Sequence, residues 1–305
     1  LWILAGREDV AWPAQFAPKL KEYSDNGVTF HGAYGYRIRN NGGDQLRQVV
    51  EILKKDPSSR RAVISLWNAA WDLGKDSKDL PCNTQLYVKL RDNQVHLTVC
   101  NRSNDIIWGL YGANVVQWSL LQEYLAAQLD AGVGPLTTLS DSFHAYTDNP
   151  TWKAYSQGDY LPPNSCPYEA YLVTPYPLVD VPGAFDADLE RFLADAADEL
   201  AEMFPKRTPY RNSFFTHVAL PMYRAWHRHK ETNDGLTYLQ NFLAEDSKDH
   251  KKIDWLEAAQ LWLERREGHA NQTTAGAVAA SHGGRRRVDG RAPQVRGQLA
   301  KTRRR

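Results

Sequence analysis

The stretch from Leu80 to Asn114, LPCNTQLYVKLRDNQVHLTVCNRSNDIIWGLYGAN, constrains this chain more than any other. TQLYVKLRD is rich in β-branched and aromatic residues, breaks at Asp92-Asn93 and resumes as QVHLTV, which predicts a β-hairpin. The hairpin sets Cys82, directly after Pro81, at the start of one strand. The polar run Asn101-Arg102-Ser103-Asn104-Asp105 falls at the end of the other. A thiol and an arginine therefore leave opposite strands of one supersecondary unit. Gly109 and Gly112 then lead into a helical pattern at Asn114.

The flanking sequence reads as support. Gly43-Asp44 opens a helix whose Leu46, Val49, Val50 and Leu53 keep a 3.6-residue period, and Asp56-Pro57 ends it. Arg60 and Arg61 precede the strand AVISLWN and, taken alone, describe a solvated sheet edge. In NVVQWSLLQEYLAAQLDAG, Trp118, Leu121, Leu125 and Leu129 form one apolar stripe that reads as core packing, with Gly132 as the stop. LTTLSDSFHAY alternates as a strand ending in His144 and Tyr146, which share a face. The opening LWILAG reads as the end of a buried helix, Asn26-Gly27 as a turn, and YEAYLVTPYPLV as a last strand. Beyond it, Leu189, Phe192, Leu193, Ala196, Leu200 and Met203 recur at helical spacing. Further helical stretches follow near Phe214 to His229 and Leu236 to Arg266. His217, His227 and His229 lack a nearby Cys or a second spaced pair, so no metal site is predicted.

A chain of 305 residues with 42% apolar content can bury one large core or two. It has no run of about eighteen apolar residues, so no membrane span is expected. Cys82, Cys100 and Cys166 are few, odd in number and without metal-ligand spacing, which fits a reducing, cytoplasmic setting. The net charge of +1 hides an asymmetry. From His269 on, nine Lys/Arg face Asp289 alone, a surplus of +8 that leaves the first 268 residues near −7. A tail of that composition cannot order itself. It reads as a solvated basic terminus over 269–305, with binding of nucleic acid or another polyanion as the alternative. Leu1 is not Met and begins in mid-pattern, so the numbering is expected to start inside a longer protein.

Several pieces occur together and in order: Gly32-Ala33-Tyr34-Gly35, Pro57-Ser58-Ser59-Arg60-Arg61, Trp67-Asn68, Pro81-Cys82, Arg102-Ser103-Asn104-Asp105, Gly109, Asn114 and Asp141-Ser142-Phe143-His144-Ala145-Tyr146. This set resembles the thymidylate synthases and their relatives the pyrimidine nucleotide hydroxymethylases, above all the cytidylate hydroxymethylases. The resemblance covers roughly residues 1–178. It implies an α+β, thymidylate synthase-like catalytic domain there, with a central twisted mixed sheet flanked by helices, and an added helical region over 179–268. It implies Cys82 as nucleophile, Tyr34 ordering water for proton removal, Asn114 reading the base, and His144 with Tyr146 holding the sugar hydroxyl. Arg102 and Ser103 would bind the phosphate, joined by Arg60 and Arg61 of a second subunit, hence a homodimer. Asp105 would contact the pterin of 5,10-methylenetetrahydrofolate, the co-substrate. A catalytic glutamate is expected just upstream of Leu1, outside this sequence. Two tryptophans usual before Gly32 in thymidylate synthases have no match.

The chemistry of the residues agrees with these roles. A pyrimidine C5 is a poor nucleophile until a thiolate adds at C6, and positive charge from Arg102 suits Cys82 to that task. Three features point to a hydroxymethyl product on CMP or dCMP. Asn83 stands where thymidylate synthases have His, a helical extension replaces their short closing tail, and Arg-Ser-Asn-Asp is identical to phage deoxycytidylate hydroxymethylases. Asn83 and Tyr34 would help hold the attacking water. Asn114 as a side chain suits uracil, and one more residue precedes it in Leu110-Tyr111-Gly112-Ala113, so base and sugar stay open. The alternatives are a thymidylate synthase methylating dUMP and an inactive family member binding polyanions through its tail.

Overall fold

The structure is a computed structural model that describes residues 1–158, 168, 173–199, 209–245 and 253–266. Pro162-Pro163, Cys166, Leu200, Met203 and the basic tail lie outside the described residues.

Strands β1 (Val63–Ser65), β2 (Asn83–Arg91), β3 (Gln94–Asp105) and β4 (Gly132–His144) form a mixed sheet in that order. The first two pairings are antiparallel and β3 runs parallel to β4. Asp92 and Asn93 take positive φ, 49° and 55°, the conformation a two-residue hairpin turn of matching twist needs and these side chains tolerate. The turn fixes the register and sets Asn83 opposite Asn101. Alternation then buries Leu86, Val88, Val95, Leu97 and Val99 on one face, while Tyr87, Thr98 and Cys100 face the other and are half-buried.

Before the hairpin come α1 (Ala11–Phe16), α2 (Tyr34–Asn40), α3 (Gln45–Lys55) and α4 (Ala69–Asp72). Asp44 caps α3, its carboxylate accepting from the Arg47 amide at 3.1 Å, and the predicted Leu46, Val49, Val50 and Leu53 are all buried. A parallel β3–β4 pair needs a crossover, and α5 (Val115–Gln128) supplies it. Its Trp118, Leu121 and Leu125 are fully inside. After α6 (Pro150–Ser156) come α7 (Pro182–Glu199), α8 (Leu220–Glu231), α9 (Gly235–Glu245) and α10 over 254–266.

Four expectations change. Residues 1–6 form turns and not a helix end. Over 173–179 no strand forms, and Thr174 makes only a single bridge to Ile253. The stretch expected as one helix over 236–266 ends α9 at Glu245 and resumes as α10. Tyr146 lies beyond the end of β4, although its ring still meets His144 edge-on at 5.3 Å.

The helices after residue 178 do not stand apart. Phe185, Leu189, Phe192, Phe215 and Tyr223 belong to the same buried cluster as Ile64, Leu97 and Trp118. Trp12 of α1 stacks on Tyr223 of α8 at 5.6 Å, and Phe16 meets Trp226 at 4.7 Å. Buried aromatics of this size carry much of a core's free energy.

Candidate active site

Cys82 lies in the bend that enters β2, half-buried. Arg102 shapes that bend. Its amide donates to the Cys82 carbonyl at 2.9 Å, its Nε to the Pro81 carbonyl at 3.0 Å and its Nη2 to the Leu80 carbonyl at 3.1 Å. The same Nη2 is 3.8 Å from Sγ, so a positive charge stands beside the sulfur. The guanidinium also lies over Trp67 at 5.8 Å. Among the described residues nothing accepts from Nη1, which leaves its donors, on an exposed side chain, available to an anion. From the other side, Asp79 Oδ2 accepts from the Gly32 amide at 2.8 Å, tying the segment before Cys82 to the segment before Tyr34. A Cβ at Gly32 would stand 2.8 Å from the Asp79 carbonyl, so this approach requires glycine. Burial pushes the Asp79 carboxyl up, against the pull of the Gly32 amide.

Behind the thiol, the Tyr34 hydroxyl accepts from the Asn83 amide at 3.3 Å and from Asn83 Nδ2 at 2.6 Å. Both lone pairs are spent, so the phenolic proton must point elsewhere. Burial, reinforced by nearby Cys82, pushes Tyr34 up to about 12, which keeps that proton in place near neutrality. Asn83 is itself fully buried, and its Oδ1 accepts from Trp118 Nε1 at 3.1 Å. Its side chain thus joins Tyr34, Asn114 and Trp118.

A chain of buried carboxamides continues from there. Asn114 Oδ1 accepts from Gln117 Nε2 at 2.8 Å and Asn83 Nδ2 at 3.4 Å, while its Nδ2 donates to Asn104 Oδ1 at 3.0 Å. Asn104 Nδ2 donates to Ser140 Oγ at 3.1 Å. Asn114 was expected to open the α-helix. It closes a π-helical segment, Ile106–Asn114, whose end is marked by the Val115 amide bonding to Leu110, five residues back. A π turn takes up more residues than an α turn, which is how the extra residue before Asn114 is absorbed. Trp118 and Asn104 escaped the sequence reading, which saw the first only as packing. The available signal was the indole N–H, since a buried tryptophan this close to a polar cluster must find an acceptor.

Asp105 accepts from the Ile107 amide at 3.0 Å and from the Trp108 amide through Oδ1; its Oδ2 is buried with no partner among the described residues. An acceptor-only oxygen of that kind could take an N–H from the edge of a pterin. Ser103 and His144 sit on β3 and β4, with His144 opposite Asp105. Arg60 and Arg61 are exposed, and no contact links them to the Cys82 cluster among the described residues. Neither a metal-binding group nor a membrane-length apolar helix occurs among the described residues.

With this geometry in place, similarity to known proteins decides the family. The thymidylate synthase family profile matches residues 1–155. This chain belongs to the thymidylate synthase family. It has the family's α+β fold and is a one-carbon transferase acting on a pyrimidine nucleotide, with 5,10-methylenetetrahydrofolate as co-substrate. A deoxyuridylate hydroxymethyltransferase of Pseudomonas phage M6 is 37% identical over 292 residues, 88% of this chain and 78% of that protein. One from Bacillus phage SP01 is 42% identical over 161 residues, 49% of this chain and 42% of its own length. The solved thymidylate synthase of T4 phage is 23% identical over 55% of this chain and 66% of its own, with a TM-score of 0.44.

Proposed function

We propose that this enzyme converts dUMP to its 5-hydroxymethyl product. The observation that carries the reading is Asn114: its carbonyl accepts from two neighbours and its Nδ2 keeps one hydrogen for a ligand, a donor suited to the O4 of uracil. The M6 and SP01 relatives bear the same substrate in their names. Uracil is thus preferred to the cytosine expected from Arg102-Ser103-Asn104-Asp105.

Cys82 adds through sulfur to C6, and the ring's electron pair moves toward O4, where the Asn114 N–H meets it. C5 then bonds to the carbon that the folate co-substrate supplies at the formaldehyde oxidation level. Tyr34, with its proton turned away from Asn83, orders the water that takes the C5 proton. Loss of that proton breaks the bond from the new carbon to the folate nitrogen, tetrahydrofolate leaves with the electron pair, and water adds to the resulting exocyclic methylene as Cys82 leaves C6. Arg102 and Ser103 hold the phosphate, His144 and Tyr146 the sugar, and Asp105 the pterin. The half-open sheet face, with Val63 and Leu139 exposed, packs against a second subunit, whose Arg60 and Arg61 complete the phosphate site.

The test uses the natural full-length protein with methylenetetrahydrofolate and C5-tritiated dUMP, dCMP or CMP. The expected result is tritium release from dUMP, a hydroxymethyl product by mass, and tetrahydrofolate left unoxidised. Dihydrofolate appearing in step with product would instead make it a methylating thymidylate synthase.

A further inference from the structure

We propose that Trp118, which cannot touch the nucleotide, fixes which pyrimidine this enzyme accepts by setting the direction of the Asn114 carboxamide. The inference rests on the reading that Asn114 faces the base. A carboxamide can turn over and exchange donor for acceptor, so Asn114 by itself serves uracil or cytosine equally well. What decides is the chain behind it: Trp118 Nε1 to Asn83 Oδ1 at 3.1 Å, Asn83 Nδ2 to Asn114 Oδ1 at 3.4 Å, Asn114 Nδ2 to Asn104 Oδ1 at 3.0 Å, and Asn104 Nδ2 to Ser140 Oγ at 3.1 Å.

Most members of that chain are reversible. Three are carboxamides, Ser140 and Tyr34 are hydroxyls, and Gln117 can turn with Asn114. Only the indole of Trp118 is a donor that can never accept. Its N–H demands Oδ1 of Asn83, which turns Nδ2 toward Tyr34 and Asn114. That donor demands Oδ1 of Asn114, which turns its own Nδ2 toward Asn104. The hydrogen left over on Asn114 Nδ2 meets O4 of uracil, but it opposes the 4-amino group of cytosine, donor against donor. To serve cytosine, Asn114 would have to turn over, setting Nδ2 against Asn83 Nδ2 and Oδ1 against Asn104 Oδ1. Relief would require Asn83 to turn too, and Trp118 forbids that. All four residues from Trp118 to Asn104 are buried, so water cannot repair a reversed link.

Trp118→Phe keeps a ring in the core and removes the irreversible donor. The expected result is a fall of roughly tenfold or more in the dUMP-over-dCMP ratio of kcat/KM, the scale of one unpaired buried polar group. Damage to packing alone would lower both nucleotides together and leave the ratio where it was. Adding Asn104→Asp, which puts an acceptor-only group at the far end of the chain, should restore the preference for dUMP. An unchanged ratio in folded Trp118→Phe protein overturns the proposal. Should that variant not fold, replacing the Trp118 indole by benzothiophene, which keeps both rings and lacks the N–H, is the test: the ratio should fall in the same way, and an unchanged ratio overturns the proposal equally. Asn114→Asp separates the two levels. If it leaves the ratio untouched, Asn114 does not face the base and the underlying reading fails. If it shifts the ratio while the Trp118 variants do not, only the role of Trp118 falls.

Discussion

Cys82 and Asp72 show how differently two buried-side residues depend on their surroundings. Cys82 is anchored through backbone and carbonyl contacts to Arg102, none of which needs the sulfur. Cys82→Ser is therefore expected to leave melting temperature and nucleotide binding near those of the parent. Turnover should drop by on the order of a thousandfold or more, since a serine hydroxyl is a far weaker nucleophile near neutral pH. Asp72 is the opposite case. It accepts from Arg37 Nη1 at 2.6 Å and Nη2 at 2.7 Å, from the Asn68 amide at 2.8 Å, and lies 2.9 Å from His31 Nε2. Asp72→Ala leaves the Arg37 charge buried and unpaired, an expected loss of about 3–5 kcal/mol in chemical unfolding. Burial alone would raise the Asp72 carboxyl, but the Arg37 and Asn68 donors win and hold it below 3.8. A lowered folded-state value means stability that is present above that ordinary value and is lost as the pH falls through the lower one. The parent should show that acid loss, and Asp72→Ala should lack it.

At the scale of elements, the hairpin and the helical periods were legible because each depends on neighbours in sequence. Asp92-Asn93 dictates the turn, and Leu46 to Leu53 dictates a buried helix face. The π segment was not, because nothing local distinguishes a π from an α turn in Ile106–Asn114. Its conformation follows from holding both ends: Asp105 on β3 caps the start, and α5, locked by Trp118 and Leu121, fixes the finish. The sequence likewise showed that Asn114 carries a donor and an acceptor, but not which faces the ligand, since that depends on residues from β2, β3 and α5 meeting in space. Gly109 tests the segment directly. A Cβ there would overlap Asn104 Oδ1 and approach Asn114 Nδ2 to 3.5 Å. Gly109→Ala should thus cut kcat/KM for dUMP by about tenfold or more by prising Asn104 from Asn114, with a smaller effect on thermal melting than on rate. Steady-state kinetics beside a melting curve decides it, and an unaltered rate would mean that the contact does not bear on the base.

Over the whole molecule, the extension was legible as helices but not as part of the catalytic core, because periodicity reports which face is apolar and not what covers it. The structure joins Phe192 and Phe215 to the sheet's own cluster on one side. The other side of the sheet keeps Val63 and Leu139 exposed beside half-buried Tyr87 and Cys100. In the proposed dimer, a closed two-fold pair would present this same face from both copies. The side chains of the two exposed arginines that enter β1, Arg60 and Arg61, make no hydrogen bond or ion pair among the described residues, in keeping with the task proposed for them in a second subunit. Mixing Arg60→Ala chains with Cys82→Ser chains tests this. Each parent dimer lacks an essential group at both sites and should be nearly inactive. In a mixed dimer, one site combines the intact Cys82 of the first chain with the intact Arg60 of the second, and the other site lacks both. After full exchange of equal amounts, half the dimers are mixed, so activity should return to about one quarter of the parent's. Exchange proven by mass while activity stays at the level of the separate variants would place Arg60 in its own subunit's site or in none.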